Sequence, residues 1–375
     1  MSNVHSDSGI LRVRIAPDWR GINPYQQLLA ENVELVGGRV SFASEYRRGF
    51  PLWRDYRACS PRPDVLHLHW LSNYIRFEDR TRKWLYGQKL VFDLGLLRRE
   101  GVGLVWTIHN AVAHEARHPF LERSLQKRVA RRVDRVVLHS DSARDEVAGF
   151  YALDPDSIRV IPHGHYRSLY APAANREYAR RELNLTSARR VFLFFGLLRP
   201  YKGLEALLEA WKTFSVQPGA VGCHLIIAGK APDPQYADQL RRCAEGVERV
   251  QLRVGFVPDE KIPTYFGAAD IAVLPFQRIL TSGSLLLAMG YGTPVVAPRI
   301  ALVDELLGPD NPLTYDPSLR GGLLAALKAA ADSSDLARLR ARTLEKLENF
   351  SWDHIARKTL ATYREAAACA ALRHS

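Results

Sequence analysis

The sequence predicts an α/β protein made of two doubly wound domains, each built on a parallel β-sheet. Short apolar strand patterns alternate with helical patterns along the whole chain, an order typical of parallel sheets with helices on both faces. The chain has 375 residues, which is enough for two domains with full hydrophobic cores. A polar stretch at 166–190, helical in part, separates the two halves and is typical of a linker.

A strand, a glycine-containing loop and a helix open the first domain. The strand at 11–16 alternates apolar and polar residues, the loop covers 17–24, and the helix begins at Tyr25. No clear period marks 46–56, so no element is predicted there. Further strands are predicted at 40–42, 65–70, 103–110, 135–139 and 158–161, with helices at 82–99 and 140–150. We expect this domain to cover 1–165.

The second parallel sheet begins with the apolar strand at 191–195. Its helices are predicted at 204–214, 236–244, 262–268, 302–307 and 323–331. We expect the linker and this domain to cover 166–350. A terminal helix is predicted from Ser351 to about Ala370, inside a last segment that covers 351–375.

A strand-to-helix loop in the second half is a candidate anion site. The apolar strand at 271–274 ends at Pro275, the next strand starts at 295, and a short helix is predicted between them at 284–289. Free backbone N–H groups and hydroxyls at the start of that helix, together with the helix dipole, suit a diphosphate. The alternative is an ordinary N-cap, because Ser and Thr are favoured there. The loop consists of Thr281, Ser282, Gly283 and Ser284.

Five motifs follow one another in the second half, at 196–203, 225–229, 255–259, 269–275 and 288–296. Each motif alone is a weak signal, but their order over about 100 residues is specific. The series resembles the donor half of GT-B glycosyltransferases, in particular the large family 4 ("group 1") set. The resemblance implies two Rossmann-like domains whose parallel sheets face each other across a cleft, with the last helix crossing back to the first domain. It also implies transfer from a nucleoside diphosphate sugar without a metal cofactor.

The chain departs from that family at two positions. The family usually carries two glutamates eight positions apart, where this chain has Ile279 and Leu287. The sequence LTSGS at 280–284 resembles instead a branch of bacterial exopolysaccharide enzymes that includes β-mannosyltransferases, grouped as family 94. This likeness implies GDP-mannose as the donor, a lipid-linked oligosaccharide or glycan as the acceptor, and inversion at the anomeric carbon. Two alternatives stay open: a retaining transferase that uses another nucleotide sugar, and a catalytically inactive GT-B scaffold protein.

Two cations are the candidate ligands of the donor diphosphate. Arg199 and Lys202 follow the strand at 191–195, at the carboxyl end where open α/β sheets bind ligands. Two positive charges there can neutralise a departing diphosphate. The commoner form of the motif has arginine where this chain has Leu197, so Arg199 is a variant. A lysine at a helix N-terminus is disfavoured by the dipole, which favours a binding role for Lys202 over a surface position.

The nucleoside contacts are implied by the resemblance alone. Similar enzymes hold the base through backbone atoms of the segment that corresponds here to Gly255, Phe256 and Val257. The glutamate that usually holds the ribose is replaced by Leu287. We therefore expect another partner for the ribose, either Glu305 or a backbone group.

Polar residues that follow two strands of the first half are the candidate acceptor and catalytic groups. We expect the acceptor side to include His69, Trp70, Asn110 and His114, and His109 to contact the donor sugar or its diphosphate. A lone histidine is more often a structural hydrogen-bonding residue. Inverting transfer needs a general base for the acceptor hydroxyl. We expect Glu115 in that role, and Asp18 is the alternative because other inverting GT-B enzymes carry a base after the first strand.

Charge and composition point to a cytoplasmic protein at a membrane surface. The net charge is +12, and basic residues are dense at 117–135, where apolar residues interleave at helical spacing. Arg128, Arg131 and Arg132 suit anionic lipid headgroups, and the alternative is a solvated helix face. No nucleic-acid motif accompanies the charge. No apolar run approaches the ~20 residues of a membrane span, and no secretory signal opens the chain. We therefore expect a peripheral position on the inner face of the plasma membrane.

Neither a metal site nor a disulfide framework is indicated by the sequence. The four cysteines are scattered, which fits a reducing cytoplasm. Asp154 and Asp156 have the spacing of a metal-binding Asp-x-Asp pair, but they flank a proline in a predicted helix-to-strand turn away from the ligand edge of the sheet. We expect no metal cofactor.

Overall fold

The computed structural model describes residues 9–21, 23–44, 49–75, 77–109, 118–277, 279 and 281–373, with the side chain of Glu146 left out. The chain forms two compact units. The first unit combines Met1–Gly164 with Phe350–Ser375, and the second unit is His165–Asn349. The last helix therefore belongs to the same unit as the N-terminal half of the chain.

Strands and helices alternate through the described residues, as the sequence predicts. The strands are β1 (Arg12–Ala16), β2 (Arg39–Phe42), β3 (Val65–Leu68), β4 (Gly103–Thr107), β5 (Arg135–Leu138), β6 (Ile158–Val160), β7 (Arg190–Phe195), β8 (Cys223–Gly229), β9 (Val250–Val254), β10 (Ile271–Val273), β11 (Val295–Pro298) and β12 (Thr314–Tyr315). The helices are α1 (Tyr25–Leu35), α2 (Pro51–Ala58), α3 (Arg80–Arg99), α4 (Pro119–Ala130), α5 (Arg144–Tyr151), α6 (Arg176–Glu182), α7 (Leu204–Ser215), α8 (Pro234–Ala244), α9 (Ile262–Ala268), α10 (Gly283–Gly290), α11 (Ala301–Leu307), α12 (Gly322–Asp332), α13 (Leu336–Leu347) and α14 (Trp352–Leu372).

The first unit is built on a parallel sheet with the strand order β2-β1-β3-β4-β5-β6 in its described part. Strands β3 and β4 are buried along their whole length, as expected where helices cover both faces. The terminal helix α14 packs against β4 and α1. A Cβ atom on Gly103 would lie only 2.7 Å from the backbone of Ala366. Glycine at the start of β4 therefore lets the backbones of strand and helix approach closely.

The second unit has a parallel sheet with the order β12-β11-β10-β7-β8-β9 in its described part. From β7 the chain moves outward through β8 to β9, then returns to the other side of β7 as β10. The chain direction across the sheet thus reverses between β7 and β10. In open α/β sheets, ligands bind at such a reversal, outside the carboxyl ends of the two strands.

Helix α2 corrects the sequence analysis, which predicts no element at 46–56. Its N-terminus lacks a local side-chain cap. Asp93 of α3 takes that role instead, because its carboxylate accepts hydrogen bonds from the backbone N–H groups of Leu52 and Trp53, both at 2.9 Å. A cap that comes from 40 residues away leaves no local capping signal. Helix α13 was also not predicted.

Candidate active site

The candidate donor site lies at the carboxyl ends of β7 and β10, where the loops that follow the two strands contact each other. Gly203 has a φ of +73°, and a Cβ atom there would lie 2.1 Å from the carbonyl oxygen of Pro275. Both the backbone angle and the close approach therefore require glycine. The backbone N–H of Gln277 also donates to the carbonyl of Tyr201, at 3.1 Å. These contacts fix the position of Lys202, which lies between Tyr201 and Gly203.

Lys202 is a buried cation that packs against aromatic rings. Its side chain is nearly inaccessible, and its ammonium lies 4.6 Å from the ring centre of Phe276 and 5.2 Å from that of Tyr201. Burial, and then the charge of Arg199, lower the pKa of Lys202 to about 8. No carboxylate in the described part of the chain forms an ion pair with it. Because an isolated buried charge is costly, this arrangement favours an anionic ligand.

The first turn of α10 adjoins the end of β7. Ser282 is the N-cap residue, and its buried hydroxyl accepts a hydrogen bond from the backbone of Leu285 at 3.2 Å. The hydroxyl of Ser282 therefore has the role of an ordinary N-cap, which was the alternative to anion binding. Ser284 points at the other loop, since a Cβ atom on Gly196 would lie 2.5 Å from its Oγ. The structure thus brings the helix start that follows Thr281 and the loop of Lys202 to the same place, as the sequence analysis expects.

The residues predicted to hold the nucleoside follow two outer strands at the same edge of the second sheet. Gly255 follows β9, and its N–H donates to the carbonyl of Gly229 at 2.9 Å. The ring of Phe256 is 74% exposed, so a flat base could stack on it. Val257 is half-buried, and Glu305 is exposed on α11, after β11. Their binding roles stay predictions.

A stack of flat rings stands at the carboxyl edge of the first sheet. His109 follows β4 and is nearly fully buried. Its ring stacks on Trp70, with centres 4.3 Å apart and an interplanar angle of 12°. Trp70 stacks in turn on Trp19, with a centre distance of 4.8 Å and an angle of 13°. These three rings join residues that follow β1, β3 and β4.

A hydrogen bond between two imidazoles sets the proton position on His109. Nδ1 of His69 lies 2.9 Å from Nε2 of His109. Nε2 of His69 is buried and has no partner among the described residues. An unpaired buried N–H group costs more than an unpaired acceptor, so His69 is favoured as the donor to His109. The proton of a neutral His109 is then on Nδ1, from which it can donate to a ligand.

The position of His69 corrects one expectation. The sequence analysis places His69 on the acceptor side, but its side chain is 0% exposed. Here it supports His109 and does not line the surface. The pKa values of both imidazoles lie well below the ordinary value, first because of burial and then because of neighbouring histidines. Both rings are therefore neutral at pH 7.

Three more buried histidines surround this pair, and the sequence analysis assigns none of them a role. His139 follows β5 and His163 follows β6, while His67 lies within β3. Burial is the main cause that lowers their pKa values, to about 4 for His139 and about 3 for His163 and His67. We call these three residues, together with His69 and His109, the histidine cluster. The signal that could have found it is the repeated placement of histidine at strand ends.

The two candidate bases differ in what the structure shows. Glu115 lies outside the described residues, as do Asn110 and His114. Asp18 forms a bidentate ion pair with Arg20, at 2.8 Å and 3.0 Å. The hydrogen bond from Arg20 is the largest cause that lowers the pKa of Asp18. A lower pKa makes Asp18 a weaker base, so Glu115 stays the preferred prediction.

Known families match both halves of the chain. The model named Glycosyltransferase Family 4 matches residues 12–169, and the one named Glycosyl transferases group 1 matches residues 189–338. The chain belongs to these glycosyltransferases. Together the two matches cover most of the sequence, including the rings after β3 and β4 and the donor loops after β7 and β10.

Curated relatives of this glycosyltransferase include two kinds of enzyme. The GDP-mannose:glycolipid 4-β-D-mannosyltransferase of Xanthomonas campestris pv. campestris is 29% identical over 276 residues, which cover 72% of this chain and 73% of the relative. The D-inositol 3-phosphate glycosyltransferase of Corynebacterium efficiens is 26% identical over 382 residues, covering 94% of this chain and 82% of the relative. Both are glycosyltransferases, but the first name gives a glycolipid and the second gives D-inositol 3-phosphate.

Solved structures show the GT-B fold for this glycosyltransferase. Sucrose-phosphate synthase from Thermosynechococcus elongatus matches with a TM-score of 0.71 at 19% identity, over 96% of this chain and 100% of that one. HepE of Anabaena, in complex with UDP and glucose, matches with a TM-score of 0.70 at 15% identity, over 94% and 98%. The two six-stranded parallel sheets found in the described residues agree with that architecture.

The described residues show neither a metal-binding cluster nor a membrane-spanning helix. In the described part of the chain, no group of three or more His, Cys, Asp or Glu side chains could hold a metal ion. The side chain of Asp154 accepts a hydrogen bond from the backbone of Asp156 at 2.9 Å, as in an ordinary capped turn. Metal independence stays a prediction. Among the described helices, none combines the length and apolar character that a bilayer crossing needs.

Proposed function

We propose that this glycosyltransferase moves mannose from GDP-mannose to a lipid-linked oligosaccharide or glycan, with inversion. The observation that carries the donor part is Lys202, a buried ammonium near Arg199 whose described neighbours include no paired carboxylate. The loop that carries it also approaches the first turn of α10 through Gly196 and Ser284, and the N–H groups of that turn favour an anion. The name of the Xanthomonas relative supports GDP-mannose as donor and a glycolipid as acceptor.

Inversion is supported by two apolar residues at positions where related enzymes usually carry glutamates. Ile279 is 8% exposed and Leu287 is 9% exposed, so both belong to the packed interior of the second unit. No carboxylate at either position can contact the sugar or the ribose. This favours a single displacement over retention. The sequence LTSGS at 280–284 supports a placement in the β-mannosyltransferase branch of exopolysaccharide enzymes (family 94).

The proposed reaction assigns one step to each group. The acceptor hydroxyl attacks the anomeric carbon while the bond from that carbon to the diphosphate oxygen breaks. Glu115 takes the hydroxyl proton, and the GDP leaving group keeps the bonding electron pair. Lys202, Arg199 and the α10 N-terminus stabilise the charge on the diphosphate. A neutral His109 donates its Nδ1–H to a sugar or diphosphate oxygen.

Two other functions have some support. A retaining transferase with another nucleotide sugar fits the D-inositol 3-phosphate glycosyltransferases among the relatives. An inactive GT-B scaffold protein is favoured only by Ile279 and Leu287. The charge of Lys202 opposes it, because a binding site that no longer holds a diphosphate has no need of a buried unpaired cation.

Turnover with a panel of nucleotide sugars, followed by proton NMR of the product, tests the proposal. We expect GDP-mannose to be used and the product to be β-linked. Glu115→Gln should lower turnover by roughly 10²–10⁴ with donor affinity nearly constant, because the amide cannot accept the proton. Glu177→Gln, at an exposed position of α6, is the matched control. An α-linked product would contradict inversion, and a fully active Glu115→Gln would move the base to Asp18.

We also propose that the protein is peripheral on the cytoplasmic face of the plasma membrane, with α3 and α4 at the lipid surface. Arg128 donates to Gln88 of α3, and Arg132 donates to the carbonyl of Arg128 at 3.2 Å. Arg131 is exposed. Three apolar side chains on the nearby face of α3 are about half exposed, namely Trp84, Leu85 and Phe92. Apolar side chains flanked by cations suit an anionic bilayer surface.

A further inference from the structure

Arginines line an open concavity at the amino edge of the first sheet. Its volume is about 510 Å³. Three helices end around it, because α3, α4 and α14 each finish at or next to one of its basic residues. The lining consists of Gly95, Arg98, Arg99, Arg131, Arg132 and Arg373. Five of these six residues are positively charged.

Among the described residues, the positive charge of this arginine concavity exceeds the negative charge near it. Asp134 accepts hydrogen bonds from Arg98 at 3.4 Å and from Arg373, and also from the backbone N–H of Leu104 at 2.8 Å. One carboxylate is thus shared by two guanidinium groups. Arg99 and Arg131 are exposed and form no ion pair with a described residue.

Crowding of the cations is also visible in the pKa values. Burial, and then the charge of Arg373, lower the pKa of Arg98. Burial, and then the charges of Arg128 and Arg98, lower the pKa of Arg132. The positive charges of neighbouring arginines repel one another, and an anion bound between them would relieve that repulsion.

Hydrogen bonds to helix ends explain only part of the cluster. Arg98 donates to the carbonyl of Arg132 at 2.7 Å, and Arg373 donates to the carbonyl of Val102 at 2.9 Å. Arginine is commonly found near helix C-termini for this reason. Arg99 and Arg131 make no such hydrogen bond with a described residue, so capping by hydrogen bonds does not account for these two cations.

Gly95 keeps the floor of the concavity open. Glycine inside a helix is destabilising relative to alanine, so it needs a reason. Packing gives that reason at Gly87 of the same helix, where a Cβ atom would lie 2.3 Å from the side chain of Leu125. At Gly95 a Cβ atom would meet nothing within 4 Å. A ligand can therefore approach the backbone of α3 at Gly95.

We propose that the arginine concavity is a second anion site, which binds a phosphate group carried by a soluble phosphate compound or by a lipid headgroup. Planar guanidinium groups bind phosphate oxygens in pairs, and the multiple negative charge of a phosphate group suits a site lined by five arginines. The site is separate from the candidate active site. Strand β4 runs from Gly103 to Thr107, so its two ends lie about 13 Å apart. The inference goes beyond the proposed sugar transfer and does not depend on it. Arg131 and Arg132 also belong to the proposed lipid-facing surface, so a variant that fills the floor without changing the charge separates the concavity from that surface.

The test uses the full chain with Arg199→Ala and Lys202→Ala, so that the donor site does not bind the probe. Two variants attack the concavity. Arg99→Ala with Arg131→Ala removes the two cations that no contact explains, and Gly95→Leu fills the floor without changing the charge. The matched control is Arg80→Ala with Arg82→Ala, which removes two exposed charges from the other end of α3.

Two binding measurements separate the sources of the phosphate. The first is calorimetric titration with inorganic diphosphate. The second is co-sedimentation with phosphatidylcholine vesicles that contain phosphatidic acid, compared with phosphatidylglycerol vesicles of equal surface charge. We expect both variants to weaken binding at least tenfold in one measurement or both, with the control unchanged. Loss only in the first identifies a soluble phosphate, and loss only with phosphatidic acid identifies a headgroup.

Equal binding by the variants and their parent in both measurements would overturn the proposal. So would an equal loss in the control, because binding would then follow net charge and not the concavity. Retained binding by Gly95→Leu together with loss in the arginine variant would point to diffuse surface charge and would also contradict a built site.

Discussion

Lys202 supplies a buried positive charge in the loop after β7. Its ammonium is buried among Tyr201, Phe276 and a second cation, Arg199. A pKa near 8 means that the group is mostly charged at pH 7, yet poorly hydrated. The charge is therefore available to a diphosphate at a lower desolvation cost than a surface lysine would have.

We expect Arg199→Ala and Lys202→Ala each to weaken binding of a nucleoside diphosphate. Each change removes a charge-assisted hydrogen bond worth about 1.5–3 kcal/mol. Isothermal titration calorimetry measures the loss directly. Lys212→Ala, at an exposed position on α7, should leave the affinity unchanged. If both variants bind as tightly as the parent protein, the donor site lies elsewhere.

His69 offers a second test at this scale, because it contacts His109 but is fully buried. His69→Leu removes the hydrogen bond to Nε2 of His109, whereas the amide of His69→Gln can replace it. We expect the Leu variant to lower kcat by about 3- to 10-fold, the worth of one net hydrogen bond, with little change in KM. The Gln variant should recover most of the loss.

Imidazole nitrogen NMR distinguishes this positioning role from a packing defect. In the parent protein, the resonances of His109 should show the proton on Nδ1. In His69→Leu they should show a mixture of tautomers, while the fold is intact by circular dichroism. An unchanged tautomer together with unchanged kcat would mean that His69 only fills space.

At the scale of elements, α3 and α4 form the basic and partly apolar face of the first unit. A buried ion pair between Lys83 and Glu122 joins the two helices. This pair keeps the exposed Phe92 and the arginines after α4 on one surface. The orientation of that surface is thus set inside the unit, before any lipid is present.

Charge reversal at Arg128, Arg131 and Arg132 should release the protein from vesicles that contain phosphatidylglycerol. Binding of the parent protein should fall with salt, because exposed charges are screened over about 8–10 Å. Vesicle co-sedimentation is the measurement. Reversal of Arg241, Arg242 and Arg338 changes the net charge equally in the second unit and should leave binding intact. Equal binding by the first variant and its parent would leave α4 as a solvated helix.

The elements also show where local sequence is sufficient. The donor motifs are contiguous, so the helix start at Gly283 and the position of Lys202 could be predicted from a few neighbouring residues. The histidine cluster combines five residues that lie within or just after four different strands, and sequence does not state which strands are neighbours. Helix α2 was missed for a similar reason, since its cap is Asp93, far along the chain.

For the whole molecule, the alternation of strands and helices was enough to predict two parallel α/β sheets, and the resemblance carried by the five motifs of the second half implied the GT-B architecture. The charge state of the interior was not predictable, because burial sets it. In the first unit, five histidines are held neutral, with pKa values below the ordinary 6.5. A histidine whose pKa is lowered by folding contributes its full stability at pH values above the pKa that it has in the unfolded chain. That contribution is lost as the pH falls from this value toward the lower pKa of the folded protein.

We therefore expect the free energy of unfolding to fall between pH 6.5 and about 4. Each histidine contributes about 1.4 kcal/mol per pH unit within this window. Asp93 acts in the opposite direction, because burial raises its pKa to about 6 and its contribution is lost as the pH rises from about 4 to 6. Urea unfolding at pH 7.5 and pH 5.0 is the measurement.

His139→Gln should reduce the slope of the unfolding free energy against pH by the contribution of one histidine, about 1.4 kcal/mol per pH unit. His354→Gln, at an exposed position of α14, is the control and should leave the dependence unchanged. Equal stability of the parent protein at both pH values would mean that these histidines are not buried in solution.

The placement of α14 in the first unit has a consequence for how the protein is made. The second unit is one continuous segment, whereas the first unit is interrupted by it and completed by Phe350–Ser375. At about 5–20 residues per second, the ribosome takes roughly 10–40 s to synthesise the intervening segment. During that time, α14 is not yet present to cover Gly103 of β4. His67 also lacks its partner Tyr363, whose hydroxyl lies 2.7 Å from Nδ1 of His67 in the complete fold. The half of the enzyme that is translated first is therefore the half that finishes folding last.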